Sequence, residues 1–353
     1  MKRFFCVLLS CILMVSLIGG CSSKPASGSA APADGSSSAA PKTVYKLNLS
    51  VPDPDTSSVT VAAKEFARRL NEKSDGVLDI QVYPNGSLYG GDGSAAVKQL
   101  AAGSLDMLVL AGSLYANFVP EFNVISIPYM FDDFDQLVDF VNSDVGTQLK
   151  GGVSNIGIEP LALWTRSFRQ ITNSKRPITQ PDDLKGVVLR VPNNALWVEF
   201  FTACGATATP MSFSEVYNAL QLKTLDGQEN PVDVPVSAKF YEVQKYITIS
   251  NHMADTWVVG MNPDKLKTLP ADMQELIKTT AAEMQQWKID YDAKEDSKAL
   301  EELKSQGMEA NTLTAEEQAK FVEVSKSLYD SVFKGIVKND ELFNKALEFV
   351  GKK

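Results

Sequence analysis

Four arginines fall within one 25-residue window, whereas the chain uses only lysine as its strong base between residues 70 and 165 and after residue 190. The four are Arg166, Arg169, Arg176 and Arg190. A guanidinium is a planar, permanently charged fork that binds a carboxylate through two parallel hydrogen bonds. Arginine used selectively in one place therefore indicates a fixed anion site. Structural ion pairs with nearby acids, Asp182 and Asp183 among them, are the alternative explanation.

Arg190 lies in a segment whose pattern favours burial. Residues 187–191 (VVLRV) predict a short buried strand, which Pro192 ends and a helix follows. Arginine is almost never fully buried unless it is paired, and an unpaired buried charge costs several kcal/mol, roughly 3 or more. We therefore expect Arg190 to bind the carboxylate of a ligand. Its position agrees, because open α/β sheets bind ligands at the carboxyl ends of their strands.

Arg169 is expected to contact the same ligand, whereas Arg166 and Arg176 are expected at the surface. The polar segment at residues 226–231 (DGQENP) is a further candidate. A residue before proline is pushed into extended geometry, so the amide of Asn230 would point sideways and could face the ligand. A plain turn is the alternative, since Asp-Gly and Asn-Pro are turn formers.

The sequence lacks the groups that most catalytic sites need. His252 is its one histidine, which excludes multi-histidine metal sites and His-Ser triads elsewhere in the chain. No G-x-S-x-G or P-loop motif occurs. Residues 91–96 match G-x-G-x-x-A, but far from the first strand and without an acid about 20 residues on. We expect no enzymatic activity and neither a metal nor a cofactor.

Length and composition leave room for two globular domains. The chain has 353 residues, against a rough prior of one domain per ~150 residues. Hydrophobic residues make up 44% and charged residues 22%, which is ordinary. The net charge of −9 becomes −11 when Lys2 and Arg3 are removed with residues 1–20. Nucleic acid is not expected as a partner, because phosphate binding needs a basic surface.

The N-terminus has the pattern of an export signal. Lys2 and Arg3 precede an apolar run over residues 4–18, which is short for a membrane-spanning helix of about 20 residues. Residues 18–21 (IGGC) resemble a lipobox, which predicts a lipoprotein signal peptide at 1–20 and lipidation of Cys21. Ordinary cleavage beside a chance cysteine is the alternative. Residues 21–43, rich in Ser, Ala, Gly and Pro, are predicted to be the lipid anchor and a flexible linker.

These signals predict a protein outside the cytoplasm, lipid-anchored to the cell membrane in the periplasm or at the cell surface. Of the four cysteines, only Cys204 remains in the folded part of the chain. A disulfide within one chain is therefore excluded.

Strand and helix signals alternate from residue 44 onward, which favours α/β layers in two similar lobes. Strands are predicted at 45–51, 78–82, 107–110, 158–164, 187–191, 206–211, 246–250 and 256–261. Helices are predicted at 59–70, 94–102, 134–149, 194–204 and 214–222, with Ser57 or Ser58 capping the first.

Residues 271–306 predict one unusually long helix. The segment contains no Gly or Pro, follows Pro270 and precedes Gly307. Straight, it would run ~54 Å at 1.5 Å per residue. That exceeds one lobe, so we expect it to bridge both lobes or to kink. A coiled-coil arm is the alternative, but its apolar residues do not keep a heptad.

Seven segments of the chain resemble, in order, the extracytoplasmic solute-binding proteins of tripartite ATP-independent periplasmic (TRAP) transporters, the dicarboxylate-binding-protein family. They are RQITNSKRPI at 169–178, LKG at 184–186, LRVPN at 189–193, PMSFSEVY at 210–217, DGQENP at 226–231, KFYEVQKY at 239–246 and SNH at 250–252. The resemblance covers residues 44 to about 350.

The resemblance implies a two-lobed, periplasmic-binding-protein-like α/β fold with hinge strands and a long bridging helix. Lobe I would contain residues 44–167 and 256–295, and lobe II residues 168–255 and 296–353. It also implies capture of a small organic acid and its delivery to the TRAP membrane permease subunits. A monomer is expected.

The resemblance also implies roles for individual residues. Arg190 would form the bidentate carboxylate bridge, with Arg169 and Asn230 at the same end of the ligand. The other implied pocket residues are Asn193, Phe213, Asp53, Asp55 and His252. For His252, a core position or one behind the pocket is an equal alternative. Ala111 stands where sialic-acid binders carry a glutamate, so sialic acid is not expected.

The expected ligand is a uronate or another sugar acid. Asp53, Asp55, Asn193 and Asn230 would offer partners to hydroxyl groups, and Trp197 or Trp257 the face of a ring. A C4-dicarboxylate and a 2-oxo acid are the alternatives. An enzyme on the same fold and a ligand sensor for a membrane receptor are the competing classes of function.

Overall fold

Two mixed β-sheets organise residues 43–353. The computed structural model describes residues 42–353, so the predicted signal peptide at 1–20, Cys21 and nearly all of the predicted linker at 21–43 lie outside the described residues. The first sheet contains β1 (Tyr45–Ser50), β2 (Leu78–Tyr83), β3 (Met107–Ala111), β4 (Glu159–Thr165) and β10 (Thr256–Met261). The second contains β5 (Gln170–Asn173), β6 (Val188–Val191), β7 (Thr207–Pro210), β8 (Gly227–Asn230), β9 (Tyr246–Ile249) and β11 (Glu309–Thr312).

The strand orders are β2-β1-β3-β10-β4 and β11-β9-β5-β8-β6-β7. In the first sheet β1 is parallel to β2 and β3, and β10 is antiparallel to β3 and β4. In the second, β6 is parallel to β7 and β8, whereas β5 is antiparallel to β8 and β9. All eight predicted strands are confirmed within two residues at each end. Strands β5, β8 and β11 were not predicted.

Helices cover both sheets. They are α1 (Ser58–Lys73), α2 (Gly93–Ala101), α3 (Gly112–Tyr115), α4 (Phe134–Asn142), α5 (Asp144–Asn155), α6 (Ala195–Ala203), α7 (Val216–Gln221), α8 (Asp233–Ser237), α9 (Pro263–Lys267), α10 (Ala271–Ser305), α11 (Ala315–Ser327), α12 (Lys334–Val337) and α13 (Asp340–Phe349). Ser57 caps α1, because its side chain accepts a hydrogen bond from the backbone N–H of Thr60.

The single helix predicted at 134–149 is wrong, since α4 and α5 are separate helices. Ser143 ends α4 in an extended conformation and caps α5 by accepting from the N–H of Val145. A Cβ on Gly146 would lie 1.8 Å from the carbonyl oxygen of Val141. The two helices therefore meet so closely that only glycine fits there.

The long helix bridges the two lobes, as predicted. Its 35 residues form one helix, which contacts β4 and α1 on the first-sheet side and α8 on the second-sheet side. The chain also passes between the sheets at residues 166–169 and again at 250–255. The two-lobed α/β fold is thereby confirmed.

The lobe boundaries given above stay predictions. Strands β1 to β4 and β10 fall in predicted lobe I, and the remaining strands fall in predicted lobe II. The C-terminal helices α12 and α13 pack against the 3-10 helix Pro120–Ser126, which belongs to predicted lobe I. Helices α12 and α13 thus contact predicted lobe I, although residues 296–353 were assigned to lobe II.

Candidate ligand-binding site

A cavity between the two sheets is lined by residues of both. Asp53, which follows β1, and Trp257 of β10 come from the first-sheet side, and Arg190 of β6 and Asn230 of β8 from the second. The space that it offers to the centres of water-sized molecules is small, about 50 Å³.

Arg190 is 4% exposed, and it has no ion-pair partner anywhere in residues 42–353. Its Nε and Nη2 donate to the carbonyl oxygen of Met211 at 3.0 and 2.7 Å. The ring of Phe213 lies 5.9 Å from its Cζ. Burial lowers the pKa of Arg190 to about 10, so the side chain stays charged at neutral pH. Its remaining N–H groups are available to an anion in the cavity.

Arg169 lines the same cavity but already has a carboxylate partner. Its Nε donates to one oxygen of Glu229 and its Nη2 to the other at 2.8 Å, while Nη2 also lies 2.7 Å from the Glu229 carbonyl oxygen. Burial alone would raise the pKa of Glu229, but Arg169 overrides it and holds that pKa at about 2. From the sequence we expected Arg169 to contact the ligand, and nothing in the sequence indicated that Glu229 would already neutralise its charge.

His252 lies behind the ion pair and does not line the cavity. Its Nε2 is 3.1 Å from a Glu229 oxygen, and its Nδ1 is 2.8 Å from the hydroxyl of Ser250. Burial lowers the pKa of His252, which favours the neutral ring. A neutral ring that donates from Nε2 and accepts at Nδ1 satisfies both contacts.

Asn230 uses its amide to join the arginines to the sheet. Its Oδ1 accepts from Nη2 of Arg169 at 3.0 Å and lies 3.5 Å from Nη2 of Arg166. Its Nδ2 donates to Oε1 of Gln228 at 2.7 Å. Asn230 is the last residue of β8, and its amide lies in the cavity wall with its oxygen directed to guanidinium groups. Its contact with a ligand stays a prediction.

The surface position expected for Arg166 is wrong. Arg166 is 5% exposed and lines the cavity, with its Cζ 4.2 Å from the ring centroid of Trp257. It follows the last residue of β4, and β10 carries Trp257 beside that strand. The expected surface position of Arg176 is confirmed.

Two acids face the cavity from the first-sheet side, Asp53 and Asp255. Burial raises the pKa of Asp53 to about 6, against the opposing effect of Arg166. Asp255 accepts from the N–H and hydroxyl of Ser113 at 3.1 and 2.7 Å. Asp55, by contrast, is exposed, pairs with Lys64 at 2.6 Å and does not line the cavity.

Phe213 lines this cavity and an adjoining one, whose lining also includes Asn193 and Arg190. Asn193 itself is exposed. The adjoining cavity is narrow where the glycine-rich loop meets Ser214: a Cβ on Gly91, whose φ is +79°, would lie 2.4 Å from the Ser214 hydroxyl. The glycines of this loop thus allow the two lobes to approach closely.

The model of the family described as bacterial extracellular solute-binding protein, family 7, matches residues 50–335. The chain belongs to this family. It is 32% identical over 257 residues to the 2,3-diketo-L-gulonate-binding periplasmic protein YiaO of Escherichia coli, covering 73% of this chain and 78% of that protein.

Two solved structures show the same fold. One is the sugar acid binding protein DctPAm from Advenella mimigardefordensis in complex with galactonate, with a TM-score of 0.83, 30% identity and coverage of 88% of this chain and 99% of that one. The other is a TRAP periplasmic solute binding protein from Sulfurospirillum deleyianum with bound succinate, with a TM-score of 0.81, 28% identity and coverage of 86% and 98%. The chain is thus an extracytoplasmic solute-binding protein of the TRAP type.

The cavity of this chain is lined by three arginines and two acids. Trp197, expected as a ring face for the ligand, is fully buried beside Arg169 and does not line the cavity, whereas Trp257 does.

No helix of residues 42–353 has the length and apolar character to cross a membrane. In the same part of the chain no cluster of acidic, Cys and His side chains is placed to hold a metal.

Proposed function

We propose that this protein captures a small organic acid outside the cytoplasm and delivers it to the permease subunits of a TRAP transporter. The carboxylate of the acid binds Arg190, whose guanidinium is buried at the cavity wall without a carboxylate of its own among residues 42–353. This is the observation that carries the proposal, since a buried guanidinium without an anion is costly. Exclusion of water by the closed lobes strengthens the new ion pair.

Other cavity residues complete the proposed contacts. Phe213 packs against the Arg190 guanidinium, and Asn230 with Arg169 forms the wall beside it. Asp53 accepts from a ligand hydroxyl at the opposite side, and Asn193 contributes where the adjoining cavity opens. Asp55 and His252 lie outside the lined space, so we propose that they influence binding only through the residues that they contact.

A sugar acid is the ligand class that we propose, with a C4-dicarboxylate or a 2-oxo acid as the alternative. DctPAm binds galactonate and YiaO is named for 2,3-diketo-L-gulonate, which supports a sugar acid. The succinate in the Sulfurospirillum protein supports the alternative. Within this cavity Asp53 and Asp255 disfavour a second carboxylate and favour hydroxyl groups, because like charges repel.

A thermal-shift screen over sugar acids, C4-dicarboxylates and 2-oxo acids identifies the ligand, because binding stabilises the folded form by mass action. Titration calorimetry then compares Arg190→Ala with wild type. We expect the variant to bind more than tenfold more weakly, since loss of one partner of a buried charge pair costs roughly 2–5 kcal/mol. Arg176→Ala, which removes an exposed arginine away from the cavity, is the matched control.

Wild-type affinity in Arg190→Ala, measured with an acid that binds the native protein, contradicts the assignment of the carboxylate. Failure of every acid in the screen contradicts the proposed ligand class. Arg190→Ala is expected to fold, because it removes a buried charge that has no acidic partner in residues 42–353.

We also propose that the protein is not an enzyme and that Cys21 anchors it to the membrane. Its one histidine is held between Glu229 and Ser250, away from the cavity. An unchanged acid after prolonged incubation with purified protein supports pure binding, and a new product refutes it. For the anchor, mass spectrometry should find a lipid on Cys21, and Cys21→Ser should release the protein into the medium or periplasm.

A further inference from the structure

Arg166 is a buried cation whose hydrogen-bonding capacity is largely unused. It is 5% exposed, its Nε has no hydrogen-bond partner, and its Nη2 has only the 3.5 Å contact with Asn230. No carboxylate of the described chain lies within ion-pair distance of it. Stacking on Trp257 compensates part of its desolvation. The side chain lines the cavity, so a ligand can supply the missing acceptor.

The three cavity arginines differ in whether the protein itself supplies a carboxylate partner. Glu229 neutralises Arg169 through a two-point ion pair, whereas Arg190 and Arg166 have no such partner within residues 42–353. Arg190 is fixed on the Met211 side of the cavity and Arg166 on the Asn230 side. Strand β6, which carries Arg190, lies next to β8, which ends at Asn230. Arg166 and Arg190 both line the same cavity, so one small molecule can reach both groups.

The acids in the cavity limit what Arg166 can receive. Asp53 and Asp255 line the same space, so a second ligand carboxylate would be placed among like charges. Asp255 already accepts from Ser113 and from the N–H of Thr256 at 2.8 Å, which holds it in place. A hydroxyl or carbonyl oxygen accepts from a guanidinium without adding charge. Arg166 therefore suits a neutral ligand oxygen near the carboxylate.

We propose that Arg166 is a specificity-determining residue that donates to an oxygen on the carbon next to the ligand carboxylate. The protein then selects 2-hydroxy and 2-oxo acids over acids that lack this oxygen. The inference rests on the proposed function, in which Arg190 takes the carboxylate. It assigns the second contact to Arg166 and not to Arg169, whose guanidinium Glu229 already holds.

Matched ligand pairs and matched variants test this assignment. The pairs are D-gluconate with 2-deoxy-D-gluconate, D-galactonate with 2-deoxy-D-galactonate, and L-malate with succinate, each differing only by the C2 hydroxyl. Titration calorimetry compares wild type, Arg166→Gln, Arg190→Ala and the exposed control Arg176→Gln. Arg166→Lys serves as a second variant, because it keeps the charge but loses the planar fork.

Wild type should bind the hydroxylated member of a pair about 10- to 100-fold more tightly, the range for a hydrogen bond to a charged group. Arg166→Gln should lose that preference while keeping its affinity for the deoxy acid within about threefold, which also shows that it is folded. Arg166→Lys should lose most of the preference, and Arg176→Gln should keep all of it. Arg190→Ala should weaken both members of the pair alike.

Two results overturn the inference while the proposed function stands: an Arg166→Gln protein that keeps the wild-type preference, or one that loses both members equally. Should Arg166→Gln fail to unfold cooperatively, the same criteria apply to Arg166→Lys. Wild type that binds no member of any pair overturns the proposed sugar-acid and dicarboxylate classes together with the inference. Binding that is unaffected in Arg190→Ala overturns the carboxylate assignment on which the inference rests.

Discussion

Arg169 and Glu229 form an ion pair that is sealed from solvent, with exposures of 2% and 0%. The pair joins two neighbouring strands, because Arg169 immediately precedes β5 and Glu229 belongs to β8. His252 contributes a further contact to the same carboxylate. One of the three cavity arginines is thereby part of the framework. The other two, Arg166 and Arg190, face the ligand space without a carboxylate at ion-pair distance among residues 42–353.

Replacing Glu229 by glutamine should destabilise the protein strongly. The change leaves the buried Arg169 without a counter-charge, and breaking a buried pair costs about 3–5 kcal/mol. Urea unfolding in the absence of ligand measures the loss. Asp182→Asn removes one partner of the exposed pair with Lys185 and should cost less than about 1 kcal/mol. Equal small effects of the two substitutions contradict the framework role of Glu229.

Burial of Asp53 should make stability depend on pH in an unusual direction. Its pKa is raised from 3.8 to about 6, so the folded protein binds this proton more tightly than the unfolded chain does. Protonation therefore favours folding: this contribution to stability is greatest below about pH 4, declines as the pH rises to 6, and stays low above that.

The Asp53→Asn variant should accordingly be more stable than wild type at pH 7, by about 2–3 kcal/mol, since one pKa unit corresponds to about 1.4 kcal/mol. The difference should shrink as the pH falls toward 4. Denaturant unfolding of both proteins from pH 4 to 7 in the absence of ligand measures it. A stability difference between Asp53→Asn and wild type that grows toward acidic pH contradicts the predicted direction.

The sequence predicted an anion-binding role for Arg190 because its neighbours form a short apolar run. A strand of Val and Leu interrupted by one arginine indicates both that the arginine is buried and that its charge needs a partner. No comparable signal accompanies Arg166, which lies between β4 and β5. Its burial depends on Trp257, a residue far along the chain that only the strand pairing β4-β10 brings beside it. Contacts made by sheet topology are not contained in local periodicity.

Strand β8 shows the second limit of sequence reasoning. Residues 227–230 are Gly, Gln, Glu and Asn, which favour a turn, yet all four are buried in a strand. Their polar side chains are tolerated because each finds a partner, such as Thr172 for Gln228 and Arg169 for Glu229. A polar strand of this kind is recognisable only when its hydrogen-bond partners are known.

Lysine cannot replace Arg190 without loss. The Nε and Nη2 groups of Arg190 both reach the carbonyl oxygen of Met211, which leaves the remaining N–H groups for the ligand. A lysine ammonium is a compact point charge, so it cannot reproduce the contacts with the Met211 carbonyl oxygen and the ligand at the same time. We expect Arg190→Lys to bind the acid at least tenfold more weakly by calorimetry, while unfolding like wild type. Undiminished affinity would show that charge alone is recognised.

Asn194 joins the two sides of the cleft and should control closure. Its Nδ2 donates to the carbonyl oxygen of Ser113 at 2.8 Å and to Oδ1 of Asn123 at 2.9 Å, both on the first-sheet side. Its Oδ1 caps α6 by accepting from the N–H of Leu196. Serine at this position keeps a capping oxygen but cannot make the two donations.

Asn194→Ser should therefore weaken the closed form without unfolding α6. Two hydrogen bonds contribute about 1 kcal/mol each, so ligand affinity should fall about 5- to 30-fold, with the loss mainly in a faster dissociation rate. Small-angle scattering should show a larger radius of gyration than wild type at the same subsaturating ligand concentration. A variant with unchanged affinity and unchanged scattering would mean that these contacts follow closure and do not stabilise it.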